Sequence, residues 1–136
     1  MADRLDGVRI LLVEDESLVA AVLEDLLISV GCTVVGPIAG LDDAMRAARS
    51  EVFDIALIDV NLGKTSSYPV GEALALRDLP FVFLTGYGKS AMPAEHADWP
   101  CIAKPYKPAE LLDTLSRALE RGPRPATLNE ANEASP

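Results

Sequence analysis

Three short apolar runs, VRILLV at residues 8–13, IALI at 55–58 and FVFL at 81–84, show no apolar–polar alternation, and each stops on a polar residue. A strand with one wet face alternates, whereas an unalternating strand is covered on both sides. Between the runs the period changes. Residues 17–30 carry apolar side chains at 18, 19, 22, 23, 26, 27 and 30, a helical spacing closed by Gly31. Residues 41–50 predict a second helix, with Asp42 and Asp43 in its first turn and Arg46 and Arg49 later, as the helix dipole favours. A brief strand at 33–35 is expected to close at Gly36-Pro37. A turn-rich stretch at 61–69 leads to a helix over about 70–77. Residues 86–100 are polar, broken by Pro93 and Pro100, and hold little more than one helical turn. Residues 101–103 predict a fifth strand, and 108–121 a last helix with a proline at its start and Gly122 beyond it. Five strands alternating with helices predict an α/β fold, a parallel sheet covered on both faces. Such sheets bind ligands beyond the carboxyl ends of their strands.

The 136 residues suit one domain, and 49% of them are apolar, enough for a single core. A net charge of −9 argues against nucleic acid or an anionic membrane as partner. The two cysteines, Cys32 and Cys101, form no CxxC and no zinc-type cluster, and both read as small buried apolar residues. No signal-peptide pattern opens the chain and no run of about 18 apolar residues occurs, so a cytoplasmic protein is expected. Residues 5–121 are read as the domain. From 122 the composition turns to Pro, Ala, Asn, Glu and Ser, which predicts a flexible tail to residue 136. His96, the only histidine, lies in the polar segment and is expected to face solvent, while Trp99 is expected to cover apolar surface before the fifth strand.

The strand ends carry the chemistry. The first strand ends in Glu14-Asp15, the third in Asp59, the fourth in Thr85 and the fifth in Lys104-Pro105. Singly these read as a solvated first turn, a turn residue, a turn cap and a surface charge. Packing requires none of them together at four strand exits. Clustered carboxylates repel and raise one another's proton affinity unless a cation offsets the charge, and a hard divalent ion such as Mg²⁺ suits oxygen ligands. An aspartate beside such an ion can attack phosphorus and form an acyl phosphate. The three oxygens of a transferred phosphoryl group need electrostatic partners, and the metal, Thr85 with a nearby amide, and Lys104 match that need.

With those residues placed, the chain resembles the receiver domain of bacterial two-component response regulators over about residues 5–121. The resemblance rests on VED, LIDVNL, FLTG and AKP in that order. It implies a flavodoxin-like fold with strand order 2-1-3-4-5 and a shortened fourth helix. It implies Mg²⁺, with Mn²⁺ as an alternative ion, held by Glu14, Asp15, Asp59 and the backbone carbonyl of Asn61. It makes Asp59 the phosphoacceptor from a histidine kinase or histidine phosphotransferase, and Thr85, Gly86 and Lys104 the phosphoryl-binding residues. A cis peptide is expected between Lys104 and Pro105. Such a protein signals by contact or phosphorelay and is not an enzyme beyond its own phosphorylation and dephosphorylation.

Two departures from the family pattern stand out. Cys101 occupies the strand-five position where receivers carry a switching aromatic, and the segment between strands four and five is too short for the usual dimerising helix, so a monomer is expected. These features, with PFVFLTGYG and NLGKTSSYPV, resemble single-domain regulators with a Phe-Ala-Thr-Gly-type motif, although Leu84 stands where that subgroup has alanine. That subgroup is associated with HWE or HisKA2 kinases and general stress signalling. Tyr87, between Gly86 and Gly88, becomes a switch candidate together with Thr85 and Cys101. Two other readings compete: a metal-dependent phosphatase with an aspartyl-phosphate intermediate, disfavoured because the first strand ends in Glu-Asp-Glu rather than DxD, and an unphosphorylated interaction module.

Overall fold

The computed structural model describes residues 2–86 and 92–121. Tyr87 and Gly88, and the tail from residue 122, lie outside the described residues. Strands β1 (Arg9–Val13), β2 (Thr33–Ile38), β3 (Ile55–Asp59), β6 (Phe81–Thr85) and β7 (Cys101–Ala103) form one parallel sheet in the order β2-β1-β3-β6-β7. Counted by its own strands, that is the expected 2-1-3-4-5 order, and the fold is flavodoxin-like. Helices α1 (Ser17–Ser29) and α4 (Pro108–Arg121) cover one face, and α2 (Leu41–Ser50) and α3 (Tyr68–Leu76) the other.

The pleat sorts the apolar runs between two cores. Ile10, Leu12, Ile55, Leu57, Val82 and Leu84 pack with Leu23, Leu27, Leu111 and Leu115 on the α1/α4 side. Leu11, Val13, Ala56, Ile58, Phe81 and Phe83 pack with Ala44, Ala48, Val70 and Leu74 on the α2/α3 side. Every residue of β3 and β6 is buried, which is why neither run alternates. Among the described residues no helix is long and apolar enough to cross a membrane.

The structure corrects the expected end of the second strand. β2 continues through Gly36-Pro37 to Ile38, with a cis Gly36–Pro37 peptide and a register shift between the pairs Leu11–Val35 and Val13–Ile38. A proline lacks a ladder donor, and an edge strand with one neighbour tolerates that loss. Gly36 has φ +109°, and a Cβ there would meet the Leu12 carbonyl oxygen at 2.8 Å. The turn-rich stretch also holds more order than expected: β4 (Asn61–Leu62) and β5 (Thr65–Ser66) pair as an antiparallel hairpin. Helix α3 starts at Tyr68, two residues before its expected start.

His96 is not solvent-exposed as expected. Its side chain is only 17% accessible, its ring stacks 3.6 Å from Trp99, and its Nε2 lies 3.1 Å from a Glu72 carboxylate oxygen. A single 3-10 turn, Ala94–His96, sets the ring there, and so short an element has no period to read. Trp99 itself is buried, stacked on Phe83 and edge-on to Phe81. Neither cysteine is in a disulfide: Cys32 is buried, and Cys101 is only half-buried, beside Tyr68 and the Phe83 cluster.

Gly71 on α3 lies under this aromatic stack, where a Cβ would meet the Trp99 ring at 2.7 Å and the Phe83 ring at 3.0 Å. Alanine improves helix propensity by about 1 kcal/mol. Over-packing of a ring held on both faces outweighs that gain at about 1–3 kcal/mol. Gly71→Ala is therefore expected to destabilise the fold by about 1 kcal/mol net, measured by denaturant unfolding.

Candidate functional site

Of the strand-end residues in the sequence reading, Asp15, Asp59 and Lys104 line one open cleft of about 520 Å³ together with Glu16, Asn61, Gly63 and Gly86, while Glu14 and Thr85 are not among its lining residues. Glu14 and Asp15 follow directly on β1, Asp59 closes β3 and Thr85 closes β6. Lys104 follows β7 and is tied to β6 by its backbone N–H, which donates to the Thr85 carbonyl at 2.8 Å. The Lys104–Pro105 peptide is cis. Lys104 Nζ donates to Asp59 Oδ2 at 2.7 Å, and the Asn61 N–H donates to Asp59 Oδ1 at 3.0 Å. The Gly63 N–H, from the β4–β5 turn, donates to Asp15 Oδ2 at 2.7 Å. A Cβ on Gly86 would meet nothing within 4 Å, so the space beside that residue is open.

Glu14, Asp59 and Thr85 are all buried, while Asp15 is more accessible. Burial of Glu14, reinforced by the Asp59 carboxylate beside it, pushes its carboxyl up from 4.5 to about 7, against the opposing pull of the Glu16 amide and the Lys104 charge. Burial works against the Lys104 charge, but Asp59, through hydrogen bond and charge, with Glu14 and Glu16, outweighs it and raises the ammonium's proton affinity.

These residues fit a hard divalent cation. Glu14, Asp15 and Asp59 each offer a carboxylate oxygen, and these oxygens lie within 4.8 Å of one another. Glu14 Oε1 is buried without a hydrogen-bond partner among the described residues. A buried acceptor left unpaired, in a carboxyl already driven towards protonation, is what an oxygen-seeking cation would relieve.

The sequence reading missed Ser67. It is fully buried, and its Oγ lies 2.6 Å from the Asp59 carbonyl oxygen and 3.0 Å from that of Val60. The available signal was a serine immediately before a Pro-containing helix start. Among the switch candidates, Thr85 ends β6 at the cleft. Cys101 sits on β7 opposite Phe83, next to Tyr68, whose phenol is raised by burial first and then by the neighbouring thiol. Tyr87 lies outside the described residues.

An acidic cluster, a lysine and a buried threonine stand at the carboxyl ends of a 2-1-3-4-5 parallel sheet, and the sheet order makes the domain flavodoxin-like. Residues 10–116 match the response regulator receiver domain, and the chain belongs to that family. It is 33% identical over 115 residues to the "Phyllosphere-induced regulator PhyR" of Methylorubrum extorquens, a match covering 81% of this chain and 43% of that protein. The chain spans about half or less of the curated relatives it matches. Among solved structures it is similar to SdrG from Sphingomonas melonis Fr1, at 39% identity and TM-score 0.67, covering 84% of this chain and 94% of that one. It is also similar to the receiver domain of the sensor histidine kinase PA1611 from Pseudomonas aeruginosa PAO1, described with a magnesium ion in its active-site cleft. That match has 29% identity and TM-score 0.70, and covers 84% of this chain and 98% of that one.

Proposed function

We propose that this chain is a cytoplasmic response-regulator receiver that accepts a phosphoryl group on Asp59 from a histidine kinase, of HWE or HisKA2 class, or from a histidine phosphotransferase. The observation that carries the reading is the Asp59 carboxylate, 2.7 Å from Lys104 Nζ in an open cleft and grouped with the Glu14 and Asp15 oxygens within 4.8 Å. In the transfer an Asp59 carboxylate oxygen forms a bond to phosphorus as the donor's phosphorus–nitrogen bond breaks, and the imidazole nitrogen leaves with the electron pair. Lys104 and the Thr85 hydroxyl face the phosphoryl oxygens, whose charge spreads in the transition state. Mg²⁺ held by Glu14, Asp15, Asp59 and the Asn61 carbonyl would neutralise charge on the same group. Signalling then passes by protein contact or phosphorelay, with general stress signalling as the proposed setting.

The test is incubation with acetyl phosphate and Mg²⁺, followed by intact mass. The expected result is a gain of one phosphoryl group per chain. No gain with a competent donor counts against the reading, and multiple turnover on external phosphoesters would point to a phosphatase. Lys104→Ala is expected to lower the initial rate of acceptance by about 10²-fold, the usual cost of removing one such electrostatic partner, read as mass gain against time.

A further inference from the structure

Ser67 stands outside the group of carboxylates, lysine and threonine, yet its hydroxyl and its N–H are both turned onto the end of the acceptor strand. The last register pair between β1 and β3 is Val13 with Ile58. Beyond it no further β1–β3 pair forms, and the Glu14 N–H faces the other neighbour, donating to Ile38 on β2. The Asp59 carbonyl lies just past that ladder, and a buried carbonyl left without a donor is costly. The β4–β5 hairpin folds the chain back so that the Ser67 hydroxyl reaches this carbonyl at 2.6 Å and that of Val60 at 3.0 Å, while the Ser67 N–H donates to Val60 at 2.8 Å. Ser67 is the residue before α3, where a serine ordinarily caps the helix, but its side chain makes no cap hydrogen bond. The hydroxyl serves the acceptor strand and not the helix.

We propose that Ser67 is a positioning residue for phosphoryl acceptance, its hydroxyl clamping the Asp59–Val60 peptide and so holding the Asp59 carboxylate in line with Lys104. This rests on the reading of Asp59 as acceptor. The Asn61 N–H and Lys104 Nζ hold the two carboxylate oxygens, but they restrain only the side chain. Ser67 restrains the backbone from which that side chain projects. A displacement of the reacting oxygen of about 1 Å can cost about 10²-fold in rate, so a loosened peptide slows acceptance without removing any group that touches phosphorus. With acetyl phosphate the Asp59 oxygen–phosphorus bond forms as the phosphorus–oxygen bond to the acetyl group breaks and acetate leaves with the electron pair. Ser67 exchanges no proton.

The test compares wild type, Ser67→Ala, Ser67→Cys and Val70→Ala, the last a fully buried position on the same helix. Rates of mass gain are measured across acetyl phosphate concentrations at saturating Mg²⁺, with amide NMR spectra of each unphosphorylated protein. Ser67→Ala is expected to lower the maximal rate about 10-fold and to leave the half-saturating acetyl phosphate within about twofold. It is also expected to shift the Val60 and Asn61 amide resonances. Ser67→Cys keeps a weak donor and is expected to fall between, and it decides the matter if the alanine variant does not fold. Val70→Ala is expected to lower the melting temperature while keeping the rate. A Ser67 variant with wild-type maximal rate, or a Val70→Ala rate loss equal to it, overturns the positioning role alone. A wild-type chain that gains no mass overturns the acceptor reading with it.

Discussion

Asp59→Asn is expected to eliminate phosphoryl acceptance from acetyl phosphate while leaving the fold intact. The wild-type carboxylate is an anionic nucleophile, whereas the amide oxygen of asparagine is neutral and a poor one. A drop of at least about 10³-fold, to the background of the assay, follows from removing the group that forms the new bond. The fold should survive because Asn61 keeps an oxygen to donate to, and because the change removes one of the clustered negative charges next to buried Glu14. Lys104 loses its charged partner at 2.7 Å, but it is about one-third accessible and can turn to water. The comparison therefore pairs intact mass with far-UV circular dichroism and Trp99 fluorescence. An Asp59→Asn protein with a native spectrum and an unchanged mass gain would mean that another residue takes the phosphoryl group, and the assignment of Asp59 would be wrong.

The legible parts of this chain were those whose cause is local. The apolar runs at 8–13, 55–58 and 81–84 announce doubly covered strands, and the polar residues that stop them mark the edge of the sheet where the cleft opens, because a strand's last residue projects where its topology sends it. Glu14, Asp15, Asp59 and Lys104 group from the sequence alone, since residue type and place in the α/β order are sufficient. What could not be read depends on contacts between distant segments. The extension of β2 through Gly36-Pro37 depends on the strand lying at an edge, which local sequence does not state. The two-residue strands of the β4–β5 hairpin are too short to show a period, so the return of Ser67 to Asp59 was hidden. His96 was misread because its partners, Trp99 and Glu72, come from different elements. The Glu14 proton affinity likewise depends on burial that its charged neighbours in sequence give no reason to expect.

That buried carboxyl predicts an inverted pH response in chelated protein. Its folded-state value is about 7, against an ordinary 4.5, with burial as the main cause. Because the folded value is the higher one, the folded chain holds more protons than the unfolded chain between these limits, and stability falls as pH rises through the window. The term is absent below about pH 4.5 and fully expressed above about pH 7, where it amounts to roughly 3 kcal/mol at most. For a domain of this size that corresponds to a loss of about 10 °C in melting temperature. In EDTA, the wild type is expected to melt lower at pH 8 than at pH 5.5, and Glu14→Gln, which cannot ionise, is expected to show most of that slope removed. Added Mg²⁺ should raise the wild-type melting temperature at pH 8, since the same oxygens that resist ionisation when bare suit a divalent cation. The rise should be smaller at pH 5.5, where Glu14 must first release its proton, and smaller again in Glu14→Gln at either pH. A wild-type profile in EDTA that matches Glu14→Gln across the range would show that Glu14 is not held protonated at neutral pH, and the electrostatic case for a cation at this cluster would lose its strongest support.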